Sequence, residues 1–406
     1  MKLVRPDDDV YHAAMLTTLA VANYRSLRDL IAPLGRLNVV TGPNGSGKSS
    51  LYRALRLLAE TAKGGLIGSL AREGGLPSTL WAGPEKISRD MKRGVHPVQG
   101  GPRTDSMHLR LGFAANDFGY AIDLGLPNAD PLEKGGTAFV LDPEIKREVI
   151  WSGPVFREAA KLMDRRGPAL RASDEAGVWR NVPQPLSGFE SMMTEYADPS
   201  AAPEMIAVRE RIRSWRFYDH FRTDPDAPAR QPQIGTHTPV LSDSGADLAA
   251  ALQTIREIGD RDSLDGAVDD AFPGARLEIR QSDGRFETAL RQPGLLRPLA
   301  ASELSDGTLR YLLLIAALLT PRPPTLFVLN EPETSLHPDL LPPLSRLIAA
   351  ATRKAQAIVV THNETLISHL ANEPDARAIA LQKELGETSV AGLRLIDKPR
   401  WEWPGR

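Results

Sequence analysis

The chain has 406 residues, with Lys+Arg 49 against Asp+Glu 51 for a formal net charge of −2, and it is 42% hydrophobic and 25% charged. This usage excludes a disordered chain, a collagen-like fibre and a strongly basic, histone-like nucleic-acid binder, while leaving room for a local basic patch. The length suits one large α/β domain with an insertion, or two domains. The lack of cysteine excludes disulfides, a thiolate metal site and a Cys nucleophile, and fits a reducing compartment.

The N-terminus, MKLVRPDDDV, places three aspartates where a signal peptide needs an apolar core. Met15 is an alternative start, which would make residues 1–14 a loose extension. Residues 16–22 predict a strand, NYRSLRDL follows, and residues 37–41 predict a second strand. A glycine-rich turn then leads into a helix over residues 48–62, with Leu51, Leu55 and Leu58 on one face. Residues 64–104, rich in Gly and Pro, read as loops with short elements. Alternation around Asn116-Asp117 predicts a hairpin over 107–126. From 155 to 270 the pattern predicts mostly helix, broken at 183–185 and 223–239, with an amphipathic helix at 246–258. A second hairpin is expected at 276–290, turning at Ser282-Asp283-Gly284. The last quarter predicts helix 306–319, strand 325–329, helix 338–353, strand 357–361 and helix 363–371. There is no internal repeat and no long heptad run. The longest apolar run, residues 311–319, falls far short of the roughly 20 residues a membrane-spanning helix needs. A cytoplasmic location is the expectation.

Gly42-Pro43-Asn44-Gly45-Ser46-Gly47-Lys48-Ser49 matches G-x-x-x-x-G-K-[ST] between a predicted strand and a predicted helix. The glycines let the backbone curl so that successive N–H groups face phosphate oxygens, and the helix start adds its positive dipole end. Lys48 is expected to reach the β- and γ-phosphates of a nucleotide, and the Ser49 hydroxyl to meet Mg²⁺. The expected phosphate-binding positions are Gly42, Asn44, Gly45, Ser46, Gly47, Lys48, Ser49 and Ser50.

Leu326-Phe327-Val328-Leu329 is apolar without alternation, which suggests a strand buried on both faces. It ends in Asn330-Glu331-Pro332-Glu333, at the carboxyl end of a strand, where nucleotides bind in open α/β sheets. The expected pattern there is Asp-Glu, the Asp for the Mg²⁺ shell and the Glu to polarise the attacking water. Asn330 replaces that Asp, while Glu331 remains as a general base. Taken alone, such an acidic residue reads as a solvated turn. Ser305 is a good N-cap for the helix at 306, and by itself Ser302-Glu303-Leu304-Ser305-Asp306-Gly307-Thr308 is a capped helix start. A lone His362 at a strand end reads as structural.

In order, GPNGSGKSS, LSDGT, FVLNEPETSLHP and VVTHN resemble the motif series of the ABC-type ATPase head. LSDGT resembles the ABC signature, Thr334-Ser335-Leu336-His337-Pro338 the D-loop region and His362 the switch histidine. NYRSL resembles the NF[RK]SL opening of RecF, SMC and OLD-type ATPases, which implies a nucleotide-side role for Arg25. The similarity covers residues 16–125 and 276–372 and is strongest to stand-alone AAA-type ATPases of the RecF/OLD-like branch. It implies an α/β P-loop fold with a mostly parallel core sheet, an antiparallel β lobe and a largely helical insertion. The implied division is 1–150 and 276–406 for the ATPase domain, with 151–275 as the insertion. Neither the coiled-coil arms of SMC-like proteins nor the Toprim nuclease domain of OLD nucleases is expected. Gln99 is the Q-loop candidate by order and so a candidate Mg²⁺ ligand beside Ser49 and Asn330. The resemblance further implies a homodimer that sandwiches ATP, each nucleotide enclosed by the P-loop of one copy and Ser305 and Gly307 of the other.

For a partner, double-stranded DNA is one expectation. Arg209, Arg211, Arg213, Arg216 and Arg222 interleave with Trp215, Phe217, Tyr218 and Phe221, a mixture suited to phosphates and bases. The alternative is an amphipathic helix with core aromatics and solvated arginines, partly paired with Glu210 and Asp219. A separately encoded effector protein is the second expectation. A P-loop kinase is disfavoured by the signature, Glu331 and His362.

Overall fold

The computed structural model describes residues 15–85, 89–93, 95, 108–127, 137–174, 177–196, 198–199 and 202–405. The expected extension at 1–14 and the Q-loop candidate Gln99 lie outside them. The chain forms two compact units. One holds the residues up to Gly35, Thr41–Trp215 and those from Ile379 onward; the other holds Arg36–Val40 and Arg216–Ala378.

The first unit is built on an antiparallel sheet. Its strands β1 (Leu16–Tyr24) and β2 (Leu27–Pro33) pair across the turn at Arg25-Ser26. At NYRSLRDL the chain thus ends β1, turns and enters β2. β2 buries Leu27, Leu30, Ile31 and Ala32, and the charged pair Arg28-Asp29 between them masks its alternation. β3 (Leu37–Thr41) belongs to the second unit as far as Val40 and leads the chain into helix α1 (Lys48–Thr61). α1 buries Leu51, Leu55 and Leu58, the face read from the sequence, and packs on β1 and β4. The expected hairpin forms as β4 (Leu109–Ala115) and β5 (Phe118–Gly125). β6 (Glu144–Ser152), β7 (Lys161–Arg166), β8 (Ala169–Ser173) and β9 (Trp179–Asn181) complete the sheet in the order β2-β1-β4-β5-β6-β7-β8-β9. Helix α2 (Pro203–Ser214) follows.

The strands at 161–181 replace the helix expected there. Their apolar alternation is hidden because charged residues point inward. Arg165 and Glu148 are wholly buried and face each other at 3.3 Å. Tyr120 Oη (2.7 Å), Ser191 Oγ and the Met192 N–H also donate to Glu148, and Arg165 donates to the carbonyls of Gly167, Ser187 and Glu190. Every side-chain nitrogen and oxygen of the pair thus has a partner inside the lobe, the condition under which burying charge is tolerated. On another stretch of the sheet, Trp151 meets Phe156 and Trp401 edge-on, with ring centroids 5.4 and 5.6 Å apart. Gly112 lies so near Trp401 that a Cβ there would come within 2.7 Å of the ring.

The second unit carries the parallel strands. In chain order it contains β10 (Arg216–Tyr218), β11 (Gln233–Ile234), α3 (Leu248–Ile258), α4 (Arg261–Ala271), the hairpin β12 (Arg276–Ser282) and β13 (Arg285–Arg291), and β14 (Leu299–Ala300). Then come α5 (Asp306–Leu318), β15 (Leu326–Asn330), α6 (Leu341–Thr352), β16 (Gln356–Val360) and α7 (Glu364–Ala371). β10, β15, β16 and β3 run parallel in that order. Phe327, Leu329 and Val359 join one core with Leu312, Leu313 and Ile348, and burial runs unbroken along Leu326–Leu329 and residues 356–360, so the central strands are buried on both faces, as parallel strands require. The chain then re-enters the first unit along β17 (Ala376–Glu384) and closes the hairpin with β18 (Glu387–Val390). The expected combination of a parallel sheet, an antiparallel lobe and helices is found. No helix among the described residues is long and apolar enough to cross a membrane.

Glu148→Ala would leave the Arg165 guanidinium uncompensated inside the lobe. Breaking a buried pair from one side costs about 3–5 kcal/mol. Chemical denaturation of the variant is expected to show a loss of that order, and a midpoint equal to wild type would contradict the structural role given to the pair.

Candidate nucleotide site

The phosphate-loop motif folds as a compact turn between β3 and α1. Gly42, Gly45 and Gly47 take positive φ of 143°, 79° and 106°, conformations that L side chains rarely adopt. Ser46 N–H donates to Pro43 O at 3.1 Å, and Leu51 N–H to Gly47 O at 2.9 Å as the helix begins. No side chain caps that helix start. Lys48 is buried, and its Nζ donates to Gly42 O at 2.6 Å and Pro43 O at 3.2 Å, so the ammonium folds back over its own loop. Ser46 Oγ is buried without a hydrogen-bond partner. Asn44, Gly45 and Ser49 are exposed, and Ser50 lies half-buried in the first turn. The result is a loop with an uncapped helix end, a free hydroxyl and a cation, all suited to an anion.

In the second unit, the register sets Asn330, Val360 and Val40 side by side at the carboxyl edge of the parallel strands. Pairing continues beyond them, from Glu331 N–H to Val360 O at 2.8 Å and from Thr361 N–H to Val40 O at 3.1 Å. Thr41 and the phosphate-loop motif follow Val40 in the chain. Glu331 sits at φ 48°, a left-handed conformation unusual for a residue with a Cβ and characteristic of functional positions. Its carboxylate is partly exposed, with Oε1 3.4 Å from His362 Nδ1. Glu333, two residues on, is buried. It accepts a hydrogen bond from Thr361 Oγ1, stands 4.0 Å from His362 Nδ1, and keeps its second oxygen unpartnered. The structure therefore gathers Asn330, Glu331 and His362 at one edge and adds Glu333 and Thr361 to them.

Ser305 caps α5 as expected, accepting from Thr308 N–H at 3.2 Å. The turn before it is held by Arg230, a buried arginine that donates to Ala301 O at 2.9 Å and Leu304 O at 2.7 Å and pairs with Asp306 at 2.6 Å. A Cβ on Gly307 would come within 2.9 Å of Ser335 O, so this glycine permits the D-loop-like turn to press on the helix start. One turn further along α5, the buried Arg310 donates to the carbonyls of Asp219 (3.3 Å) and Glu331 (3.4 Å). Burial lowers the Arg310 pKa, against the opposing pull of Glu333, Asp219 and Glu331. Arg310 and Arg230 were not singled out in the sequence. Arg310 carried a signal, a lone cation inside the apolar run of 309–319; Arg230, in a proline-rich breaker, carried none.

Arg25 is engaged elsewhere. It adopts φ 51° and holds Glu73 through Nε at 3.1 Å and Nη2 at 2.6 Å, while Tyr24 donates to the same carboxylate. The reading of the arginine-rich stretch as a stacking surface is corrected. Trp215, Phe217, Tyr218 and Phe221 are all buried in cores. Arg211 is paired with Asp117 at 2.5 Å, Arg222 with Asp224 at 2.7 Å, and Arg209 and Arg213 both with Glu210. Core aromatics and partly paired arginines are found as in the alternative expectation, but not on one helix: α2 ends at Ser214, Arg216–Tyr218 is the strand β10, and Arg211 is largely buried instead of solvated.

Comparison with known proteins agrees with this architecture. A family model described as an AAA domain, putative AbiEii toxin, Type IV TA system, matches residues 201–368, and one described as an AAA ATPase domain matches residues 15–87. An OLD nuclease of Thermus scotoductus (strain ATCC 700910 / SA-01) is 48% identical over 44 residues, which span 11% of this chain and 8% of that protein. A solved SMC head, bound to the C-winged helix domain of ScpA, matches with a TM-score of 0.50 at 13% identity, over 94% of this chain and 99% of that one. The AAA-type domain models and the SMC-head fold together support an ABC/SMC/OLD-like ATPase class for this chain.

Thr361→Val removes the donor to Glu333 while keeping the shape of the side chain. Leaving a buried acceptor without its partner costs about 1–3 kcal/mol. Denaturation of this variant is expected to show a loss in that range, and no loss would mean that Glu333 does not depend on Thr361.

Proposed function

We propose that the chain binds ATP at the loop Gly42–Ser50 and hydrolyses it as a dimerising switch. The observation that supports this most is Glu331, held in a strained conformation beside His362 at the strand edge where Asn330 and Val40 also end. Lys48 exchanges its loop carbonyls for β- and γ-phosphate oxygens. Loop N–H groups and the start of α1 meet the remaining phosphate charge. Glu331 accepts a proton from water as the water oxygen bonds to the γ-phosphorus and the bond to the β-phosphate oxygen breaks. His362 orients Glu331 and reports the presence of the γ-phosphate.

The residues that would hold Mg²⁺ are Ser49, whose exposed hydroxyl is a hard oxygen ligand of the kind this ion takes, and Asn330 through its carboxamide oxygen. When bound, Mg²⁺ would supply charge neutralisation on the β- and γ-phosphates. Asn330 would offer an oxygen without the charge of an Asp, so weak Mg²⁺ binding and slow turnover are expected. Ser305, exposed at the start of α5, and Gly307 face the nucleotide held by a second copy, so that loss of the γ-phosphate removes the group both copies share. The output is a protein partner in preference to DNA, because the aromatics that would stack on bases lie in the cores. A shift of labelled double-stranded DNA that appears with ATP and weakens with salt would reverse this preference.

Lys48→Ala is expected to raise the Kd for ATP about 10- to 100-fold, the value of a charge-assisted contact, and to abolish hydrolysis. Unchanged turnover would remove the loop from the mechanism.

Glu331→Gln is expected to bind ATP, to slow hydrolysis by about 10²–10⁴-fold and to accumulate as a dimer in light scattering with ATP and Mg²⁺. Adding Ser305→Arg should return it to monomer. A Glu331→Gln protein that stays monomeric at every concentration would refute the shared-nucleotide arrangement.

A further inference from the structure

The hairpin β17–β18 lies outside every motif considered so far, yet it touches both ends of the phosphate loop. A Cβ on Gly42 would come within 2.4 Å of Leu381 O in β17, and one on Gly47 within 2.4 Å of Thr388 Oγ1 in β18. Thr388 is 2% exposed. Its Oγ1 is 2.8 Å from Ser46 O and 2.8 Å from Ser26 Oγ, and its N–H donates to Ser26 O at 2.8 Å.

The direction of these bonds follows from counting protons. A threonine hydroxyl carries one hydrogen, and a carbonyl oxygen only accepts. Thr388 therefore donates to Ser46 O, and Ser26 donates to Thr388. The relay runs from the β1–β2 turn through β18 into the phosphate loop. The peptide between Ser46 and Gly47 is trans, so its C=O and N–H point in opposite directions. Holding the Ser46 carbonyl toward Thr388 turns the Gly47 N–H away from Thr388. An ion pair between Arg28 and Glu387 at 3.2 Å fixes the neighbouring residue of β18 to β2.

We propose that Thr388 is a positioning residue for the phosphate loop, fixing the Ser46–Gly47 peptide so that the Gly47 N–H is set in advance to donate to a nucleotide phosphate. This rests on the nucleotide reading of the loop. Pre-setting an amide lowers the ordering cost of binding, so the effect belongs in affinity and in loop mobility.

The test compares Thr388→Val, which keeps the shape and loses the hydroxyl, with Thr388→Ser, which keeps the hydroxyl. Hydrogen exchange at residues 43–48 is measured without nucleotide, and affinity with a fluorescent ATP analogue and Mg²⁺. Thr388→Val is expected to speed exchange and raise Kd about 3- to 10-fold, the worth of one hydrogen bond, while Thr388→Ser stays within about twofold of wild type in both. Should Thr388→Val fail to fold, Thr388→Ala, which also removes the donor to Ser46 O, carries the same expectation. Wild-type exchange and affinity in the hydroxyl-free variant would overturn the proposal, as would Thr388→Ser being as impaired as Thr388→Val, since the methyl group would then be the cause. A wild-type chain that binds the analogue no better than Lys48→Ala would remove the nucleotide reading instead, and the exchange data would still decide whether the brace exists.

Discussion

Parallel pairing of β15, β16 and β3 is the constraint on which the chemistry depends. Parallel strands in register bring all their carboxyl ends to one edge, and residues just beyond those ends inherit a common location without any contact between them. Asn330, Glu331, Thr361 and His362 owe their proximity to this and to two further backbone bonds that extend the ladder past the strands. Glu331 bears the cost. To leave β15 while still pairing with Val360, it adopts a left-handed conformation that a glycine would take without strain. The persistence of a carboxylate there, where backbone preference opposes it, is consistent with a role for its side chain.

Charge buried in this chain serves two different ends. In the antiparallel lobe, each side-chain nitrogen and oxygen of Arg165 and Glu148 has a partner, and the network ties the segment around Ser187–Met192 to the strands beneath. Beneath the strand edge, Arg310 and Glu333 are left with an unpartnered nitrogen and an unpartnered oxygen. Saturated networks rigidify; an incompletely satisfied one marks a place whose hydrogen bonding is completed by something else, water included. All four residues are buried, so the contrast between these two pairs is not one of burial.

Much of this was legible in the residues. Apolar runs without alternation announced β15 and β16, the α1 face was read from Leu51, Leu55 and Leu58, and motif order located the loop, Glu331 and His362. What the sequence hid had physical causes. β7 turns Asp164 and Arg165 inward, so a strand of the lobe presents as a polar stretch. β2 is split by Arg28-Asp29. The aromatics of 215–221 follow arginines in sequence yet point into cores, because β10 is a strand of the parallel sheet and α2 ends before it. Arg230 and Thr388 lie far along the chain from the groups they hold, 74 residues from Leu304 and 342 from Ser46, and no local pattern encodes such a contact.

The ring of Trp401 against Gly112 joins points separated by most of the chain. During synthesis β4 emerges from the ribosome long before Trp401 does, and the face of the sheet that this tryptophan covers stays open to solvent in the interval. The strands of the second unit are translated meanwhile, since all of them precede residue 379. Closure of this face of the antiparallel lobe therefore follows synthesis of the second unit, and until then the sheet around Gly112 and Trp151 lacks its tryptophan cover.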